Sequence, residues 1–152
     1  MSHLDEVTRV LTAVSLFEGL STQFIVQIAD LGTEKKFSRG EKIVVQNQLG
    51  DELFVVLTGR VEVSISGPEN EHISIGTIKD GEILGESMLL GKMRRAATGV
   101  AKDSVECLVW KTNDLLRFFE TEPQIGYIVM KNLARSLSDK LNTTNMALRN
   151  KV

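Results

Sequence analysis

The segment 85–98 contains the residue types that an anion-binding site requires. Gly85 lets the backbone approach a ligand closely, and a short apolar helix after it would turn free N–H groups toward an anion. Arg95 stands at the head of a small-residue strand, and its planar guanidinium can hold two oxygens at once. The carboxylate of Glu86 can accept a hydrogen bond from a ribose hydroxyl. Together these groups supply what a cyclic phosphate on a ribose needs.

The same segment must be distinguished from a nucleotide P-loop, because Gly91-Lys92 follows an earlier glycine. The spacing from Gly85 is one residue too long for that motif. In addition, Met93 stands where a P-loop has the Ser or Thr that binds Mg²⁺. We therefore exclude a P-loop.

Helices are predicted at the start of the chain and strands after them. A first helix carries apolar residues with the spacing of one helix face at Leu4, Val7, Leu11 and Val14. A second helix is predicted to start at Ser21 or Thr22 and to stop at Gly32. From Thr33 to Lys111, β-branched runs alternate with turn signals, which indicates a closed or sandwiched antiparallel sheet. These runs are 43–45, 53–57, 61–65, 73–75 and 105–110.

Helical patterns return after Trp110. Thr112 or Asn113 can cap a short helix that runs through Phe119, and Pro123 suits the first turn of another. This last helix is predicted to run almost to the C-terminus, with an apolar stripe at Ile125, Val129, Leu133, Leu137 and Leu141.

Composition limits the class of protein. The 152 residues are 42% hydrophobic and 25% charged, as in a globular chain of one domain. The net charge of −2 gives no general electrostatic hold on nucleic acid or anionic membranes, so neither is expected as a partner. No apolar run approaches a membrane span, and the acidic N-terminus does not resemble a signal peptide. With Cys107 as the one cysteine, a cytoplasmic location is expected.

No grouping of side chains predicts catalysis. The sequence contains no Ser/His/Asp set, carboxylate dyad or metal-ligand spacing, and His3 and His72 lie far apart. Cys107 alternates with Val105 and Val109 on one strand face, so it is interpreted as a buried small hydrophobe. Trp110 is interpreted as packing in the core. We predict that the protein is not an enzyme and uses no metal or cofactor.

The segment Gly85-Glu86, a short helix, then Arg95-Ala96-Ala97-Thr98 resembles the phosphate-binding cassette of cyclic-nucleotide-binding domains. This is the family of the catabolite activator protein and of the regulatory subunits of cAMP-dependent protein kinase. The resemblance extends from about Leu16 to Leu141 and includes the segments 16–20, 37–41, 50–54 and 57–61. Asn47 stands where the family usually has a glycine, and Asn tolerates left-handed backbone better than most residues.

The resemblance implies an α+β fold that is mainly β. We expect an antiparallel β jelly-roll barrel flanked by N-terminal helices and a long C-terminal helix. The expected domain covers 1–152, with helical entry at 1–32, the jelly roll at 33–111 including the cassette 85–98, and C-terminal helices at 112–152.

The resemblance also implies a role for each residue of the site. Glu86 would bind the ribose 2′-OH, and Arg95 rather than Arg94 would bind the cyclic phosphate. The whole expected ligand site comprises Gly85, Glu86, Ser87, Met88, Arg95, Ala96 and Ala97, with backbone N–H groups of Ser87, Met88 and Ala96 completing the phosphate cradle.

On the last helix, the resemblance places the base-contacting positions near Lys140, Leu141 and Asn142. Leu141 would cover the adenine face, and Asn142 or a neighbouring polar side chain would reach its edge. Members that select cGMP often carry a hydroxyl residue directly after the phosphate arginine. Here that residue is Ala96, so cAMP is the expected ligand, with cGMP as the second possibility.

The resemblance implies a sensor that signals by rearranging its C-terminal helix. The catabolite activator family continues into a helix-turn-helix domain, whereas this sequence ends at Val152. Output is therefore expected to pass to an effector protein, or to a second copy of the chain in a homodimer. Two alternatives stay open: a protein–protein interaction module that no longer responds to nucleotide, and the sensor half of a transcription regulator without its DNA-binding domain.

Overall fold

The computed structural model describes residues 2–150, so Met1 and Lys151–Val152, the two ends of the expected domain, lie outside the described residues. Helices α1 (His3–Thr12) and α2 (Thr22–Asp30) come first, with a 3-10 turn at Ser15–Phe17 between them. The strands are β1 (Thr33–Phe37), β2 (Lys42–Val44), β3 (Leu49–Gly50), β4 (Glu52–Thr58), β5 (Arg60–Ser66), β6 (His72–Lys79), β7 (Ile83–Leu84), β8 (Met93–Arg94), β9 (Thr98–Ala101) and β10 (Val105–Lys111). Helices α3 (Thr112–Thr121) and α4 (Pro123–Arg149) follow the strands.

The strands form two facing antiparallel sheets. One has the order β1-β10-β4-β7 and the other β2-β9-β5-β6, while β3 and β8 pair separately. Side chains from both four-stranded sheets meet in one apolar cluster, which includes Val56 of β4 and Val61 of β5. The fold class is confirmed as mainly β and antiparallel with flanking helices. The two sheets keep open edges, however, and do not close into a barrel.

Strand β4 is buried on both faces because each face packs against a different layer. Its odd-numbered residues Leu53, Val55 and Leu57 belong to the cluster that contains the helices. Its even-numbered residues Phe54 and Val56 belong to the cluster between the sheets. Successive side chains of a strand point to opposite faces, so this continuous apolar run is what a central strand requires.

Trp110 joins the first sheet to the helical layer. It is fully buried, and its indole N–H donates to the carbonyl oxygen of Ile28 in α2 at 2.8 Å. Its ring lies edge-on to Phe17, with ring centroids 5.9 Å apart. Cys107 lies with Val105 and Val109 in the cluster between the sheets. Trp110 and Cys107 are therefore core residues, as interpreted from the sequence.

Strand β1 was not predicted from the sequence, because its residues Thr-Glu-Lys-Lys-Phe are mostly exposed and show no apolar alternation. It lies at the edge of the first sheet and pairs antiparallel with β10. Lys35 and Lys36 contact Glu52 and Glu106 at 3.3 and 3.8 Å. Charged side chains on an edge strand oppose pairing with other chains, which explains the polar sequence.

Helix α4 is a single helix of 27 residues, and Pro123 lies in its first turn as predicted. Leu133 and Val129 lie in the core on one side of it. Asn132 is also buried there, and its side-chain amide donates to the carbonyl oxygens of Leu16 and Glu18 at 3.0 and 2.9 Å. Neither α4 nor any other helix within residues 2–150 has the length and apolar character to cross a bilayer.

Candidate functional site

The cassette begins where β7 ends. Gly85 has a left-handed backbone with φ of +88°, and a 3-10 turn follows it over Glu86–Leu90. The Met88 N–H donates to the carbonyl oxygen of Gly85 at 3.0 Å and closes this turn. In this structure the Met88 N–H is therefore engaged within the turn. The N–H groups of Ser87 and Ala96 make no hydrogen bond within the described residues.

Arg95 extends into the space between the cassette and β4. Only 7% of it is exposed, and its Nη2 donates to the carbonyl oxygen of Glu52 at 2.9 Å. Its Nη1 is buried and has no hydrogen-bond partner within residues 2–150. The guanidinium carbon lies 5.8 Å from the centroid of the Phe54 ring, which covers part of the planar group.

Arg95 lies in the short segment between β8 and β9 rather than at the head of a strand, and backbone hydrogen bonds fix this segment. The Arg95 N–H donates to the carbonyl oxygen of Gln48, and the Asn47 N–H donates to that of Arg95, each at 2.8 Å. Asn47 has a φ of +71°, the left-handed conformation that its side chain tolerates. Asn therefore performs here the backbone role for which the family usually has glycine.

Two glycines make room for the guanidinium. A Cβ built on Gly85 would lie 2.5 Å from Arg95 Nη1 and 3.1 Å from the carbonyl oxygen of Glu52. A Cβ built on Gly50 would overlap the Nε end of the same side chain. Any larger residue at these positions would push Arg95 out of its place, so the glycines and the arginine belong to one arrangement.

The electrostatics of Arg95 favour an incoming anion. Burial lowers the pKa of the guanidinium, and the carboxylates of Glu52 and Asp51 oppose that shift. An arginine remains charged at neutral pH even so. A buried charged donor without a partner carries a desolvation penalty, and an oxyanion beside Nη1 removes it. Arg94, by contrast, is exposed and donates to the carbonyl oxygen of Asn47 at 2.7 Å.

Glu86 is the second buried charge of the site, with 7% of the residue exposed. Its Oε1 accepts hydrogen bonds from Ser136 Oγ at 2.8 Å and from Lys140 Nζ at 2.5 Å, both on α4. The carboxylate therefore links the cassette to the C-terminal helix.

A cavity of about 310 Å³ lies between the cassette, the second sheet and α4. This volume falls at the lower end of the range of about 300–1,000 Å³ for small-molecule sites. Its wall includes every residue expected for the ligand site: Gly85, Glu86, Ser87, Met88, Arg95, Ala96 and Ala97. A second cavity of about 450 Å³ adjoins it and shares Glu86 and Lys140 in its wall. Among the described residues, no group of three or more His, Cys, Asp or Glu is placed to hold a metal ion.

The sequence model of the cyclic nucleotide-binding domain matches residues 34–122, which is more than half of this chain. The chain belongs to the cyclic nucleotide-binding domain family. The matched range includes the whole cassette, so the resemblance stated from the sequence is confirmed. Domains of this family are regulatory rather than catalytic.

Solved structures show the same fold. The catabolite activator protein of Thermus thermophilus is 26% identical with a TM-score of 0.80, over 89% of this chain and 62% of that protein. The N-terminal domain of a transcriptional regulator from Streptomyces coelicolor is 25% identical with a TM-score of 0.80, over 88% and 93% of the two chains. The regulatory domain of Toxoplasma gondii PKA, solved with cAMP, is 23% identical with a TM-score of 0.75, over 90% and 50%. The chain thus spans less than two thirds of the Thermus protein.

In this cyclic nucleotide-binding domain, two residues of α4 line the cavity: Leu137 and Lys140. Leu141 is 60% exposed, Asn142 is exposed, and neither lines the cavity. The sequence analysis had Leu137 in the apolar stripe and placed the base contacts near Lys140, but it missed Ser136. Ser136 lies four residues before Lys140, and this spacing places both on one side of a helix.

Proposed function

We propose that this chain is a cAMP sensor. The cyclic phosphate binds at Arg95, and the ribose 2′-OH binds to Glu86. The observation that carries the proposal is the buried Nη1 of Arg95, which has no partner in the part of the chain that the structure describes and belongs to a residue that lines one cavity with Glu86. A buried charge is a costly way to fill a core position, because an apolar side chain fills such a site at lower cost. Their joint burial at one cavity is therefore best explained by a ligand that pairs with both.

The phosphate cradle has three members in this proposal. The guanidinium of Arg95 supplies the charge, and the N–H groups of Ser87 and Ala96 supply two uncharged donors. A cyclic phosphate has two oxygens outside its ring, which suits one planar cation and a few N–H groups. The relative from Toxoplasma gondii, which was solved with cAMP, supports the same ligand for this chain.

The signal leaves through α4 in this proposal. Leu141 and Asn142 lie outside the cavity in this structure. The distal half of α4, residues 137–149, must therefore move if Leu141 is to cover the adenine face or Asn142 is to reach its edge. The partner is an effector protein or a second copy of the chain. Exposed apolar residues on the distal half of α4, namely Leu141, Met146 and Leu148, favour such a contact. We propose no catalytic role for this chain. Its cytoplasmic location stays a prediction.

We propose that cAMP is preferred to cGMP because Ala96, which follows Arg95, offers no hydroxyl to the guanine amino group. A buried amino group without a partner costs about 1–3 kcal/mol. Ala96→Thr is expected to improve cGMP binding and leave cAMP binding nearly unchanged in calorimetric titrations. Tighter binding of cGMP than of cAMP by the wild type would overturn this preference and leave the phosphate site intact.

Calorimetric titration of the nucleotide-stripped protein with cAMP tests the proposed function. The wild type is expected to bind one cAMP per chain and to melt at a higher temperature with ligand. Arg95→Ala should lose about 3 kcal/mol or more of binding free energy, since each charged hydrogen bond contributes about 1.5–3 kcal/mol. Arg95→Lys should also bind poorly, because an ammonium lacks the planar fork.

Arg94→Ala is the matched control, because it removes the neighbouring arginine that lies outside the cavity. It is expected to bind cAMP like the wild type. A wild type that binds neither cAMP nor cGMP would instead favour the interaction module that keeps the fold without responding to nucleotide. Loss of binding in Arg94→Ala with binding retained in Arg95→Ala would show that the phosphate is assigned to the wrong arginine.

A further inference from the structure

The two oxygens of the Glu86 carboxylate have different surroundings. Oε1 accepts from Ser136 Oγ at 2.8 Å and from Lys140 Nζ at 2.5 Å. Two donors occupy the two lone pairs of that oxygen. Oε2 accepts no hydrogen bond within the described residues. The carboxylate is thus saturated on the side of α4 and open on the other.

Oε2 remains accessible to a ligand. The fully buried side-chain polar atoms without a partner in residues 2–150 are Thr8 Oγ1 and Arg95 Nη1, and Glu86 Oε2 is not one of them. Glu86 lines both adjoining cavities, so its carboxylate lies beside the space that a nucleotide would occupy. One ribose hydroxyl can therefore bind Oε2 without displacing the donors on Oε1.

Lys140 is suited to hold the carboxylate in this orientation. Its ammonium carries the charge opposite to Glu86, while 65% of its side chain is exposed and its stem lines the cavity. Because its side chain remains largely in solvent, Lys140 adds little to folding stability through this pair. Its effect is instead to fix the direction of a carboxylate that is itself only 9% exposed.

Given the proposed function, we infer that Glu86 is a two-sided connector between ligand and helix. Oε2 binds the ribose 2′-OH while Oε1 stays bound to Lys140 and Ser136 of α4. Lys140 and Ser136 are positioning residues that act through Glu86. Ribose binding and the attachment of α4 to the cassette then reinforce each other, because each one orders the same carboxylate.

A thermodynamic cycle between Lys140 and the ribose hydroxyl tests this inference. The wild type and Lys140→Met are each titrated with cAMP and with 2′-deoxy-cAMP. Met keeps an unbranched stem at the cavity wall and removes only the ammonium. Lys140→Met is expected to weaken cAMP binding about fivefold and 2′-deoxy-cAMP binding less than about twofold, a coupling typical of groups in one hydrogen-bond network.

A matched control and a second variant complete the cycle. Lys131→Met changes a lysine of the same helix whose Nζ lies over the ring of Tyr127, 5.9 Å from its centroid and away from the cavity. It is expected to bind both nucleotides like the wild type. Ser136→Ala removes the other donor on Oε1 and is expected to change the ratio of the two affinities in the same direction as Lys140→Met.

The outcomes separate this inference from the proposed function. A wild type that binds neither nucleotide overturns the proposed function. If the wild type binds cAMP but Lys140→Met changes both affinities equally, or neither, Lys140 does not act through the ribose contact and the inference is wrong. Tighter cAMP binding by Lys140→Met would also overturn it, because Lys140 would then compete with the ribose for Glu86.

Discussion

Helix α4 is packed into the core over its first half and lies in solvent over its second. Ile125, Val129 and Leu133 are at most 7% exposed and belong to the cluster that contains the other helices. Leu141 and Leu148 are 60% and 59% exposed, although they continue the same kind of apolar pattern. The change between the halves occurs at 136–140, the segment that contacts Glu86 of the cassette.

The two halves of α4 therefore have different roles: the first half stabilises the fold, and the second half is available for signalling. The proximal half contributes buried apolar area, which stabilises the fold roughly in proportion to the area removed from water. The distal half contributes almost none, so its position is set by weak local contacts and by whatever binds next to it. A ligand that alters the junction at Glu86 can therefore move the distal half at small cost to the fold.

The largest expected effect concerns the proximal half. Leu133→Ala should lower the free energy of unfolding by about 2–5 kcal/mol, because it leaves a cavity in a closed core. The matched control Leu148→Ala, on the exposed distal half, should change it by less than about 0.5 kcal/mol. Urea unfolding of the nucleotide-free protein measures both. Similar losses in the two variants would mean that the distal half is packed in solution.

A smaller effect is expected at the contact of α4 with the N-terminal turn. Asn132→Ala leaves the carbonyl oxygens of Leu16 and Glu18 without their donor. Losing such a buried pairing costs about 1–3 kcal/mol of unfolding free energy. Asn145→Ala is the control, because Asn145 is exposed on the distal half. An Asn132→Ala protein as stable as the wild type would show that apolar packing alone fixes the proximal half.

The smallest expected effect is the change in cAMP affinity when a residue of the distal half of α4 is replaced. Leu141→Ala should leave the unfolding free energy within about 0.5 kcal/mol of the wild type. If α4 closes over the purine, it should weaken cAMP binding by about 1–2 kcal/mol, the value of one buried aliphatic contact. Calorimetry provides this comparison, with Leu148→Ala as the control about two helical turns further along α4. Unchanged affinity in Leu141→Ala would exclude that residue from the lid.

The sequence predicted the fold well where a pattern had one physical cause. The run Leu53–Leu57 and the alternation of Val105, Cys107 and Val109 reflect burial against sheet faces, and both are found in the core. Strand β1 escaped prediction because it is held at an edge by pairing with β10, which leaves no apolar signature.

The candidate site was predictable where a residue type has few alternatives. The cassette residues are found together at one cavity because glycine at Gly85 and arginine at Arg95 have specific geometric uses. The internal use of the Met88 N–H was not predictable, since it depends on how tightly the 3-10 turn closes. The pairing of Lys140 with Glu86 was equally out of reach, because neither apolar periodicity nor the family pattern reveals that this lysine contacts a carboxylate of the cassette.

Hydrogen exchange of the nucleotide-stripped protein, with and without saturating cAMP, tests most directly whether ligand at the cassette is sensed by α4. The account predicts added protection in two places, the cassette 85–98 and the helix segment 133–148. Amides of β4 should exchange equally slowly in both states, because that strand is buried on both faces without ligand. Protection of the cassette with no change in 133–148 would contradict the role of α4, and no change in either segment would contradict nucleotide binding itself.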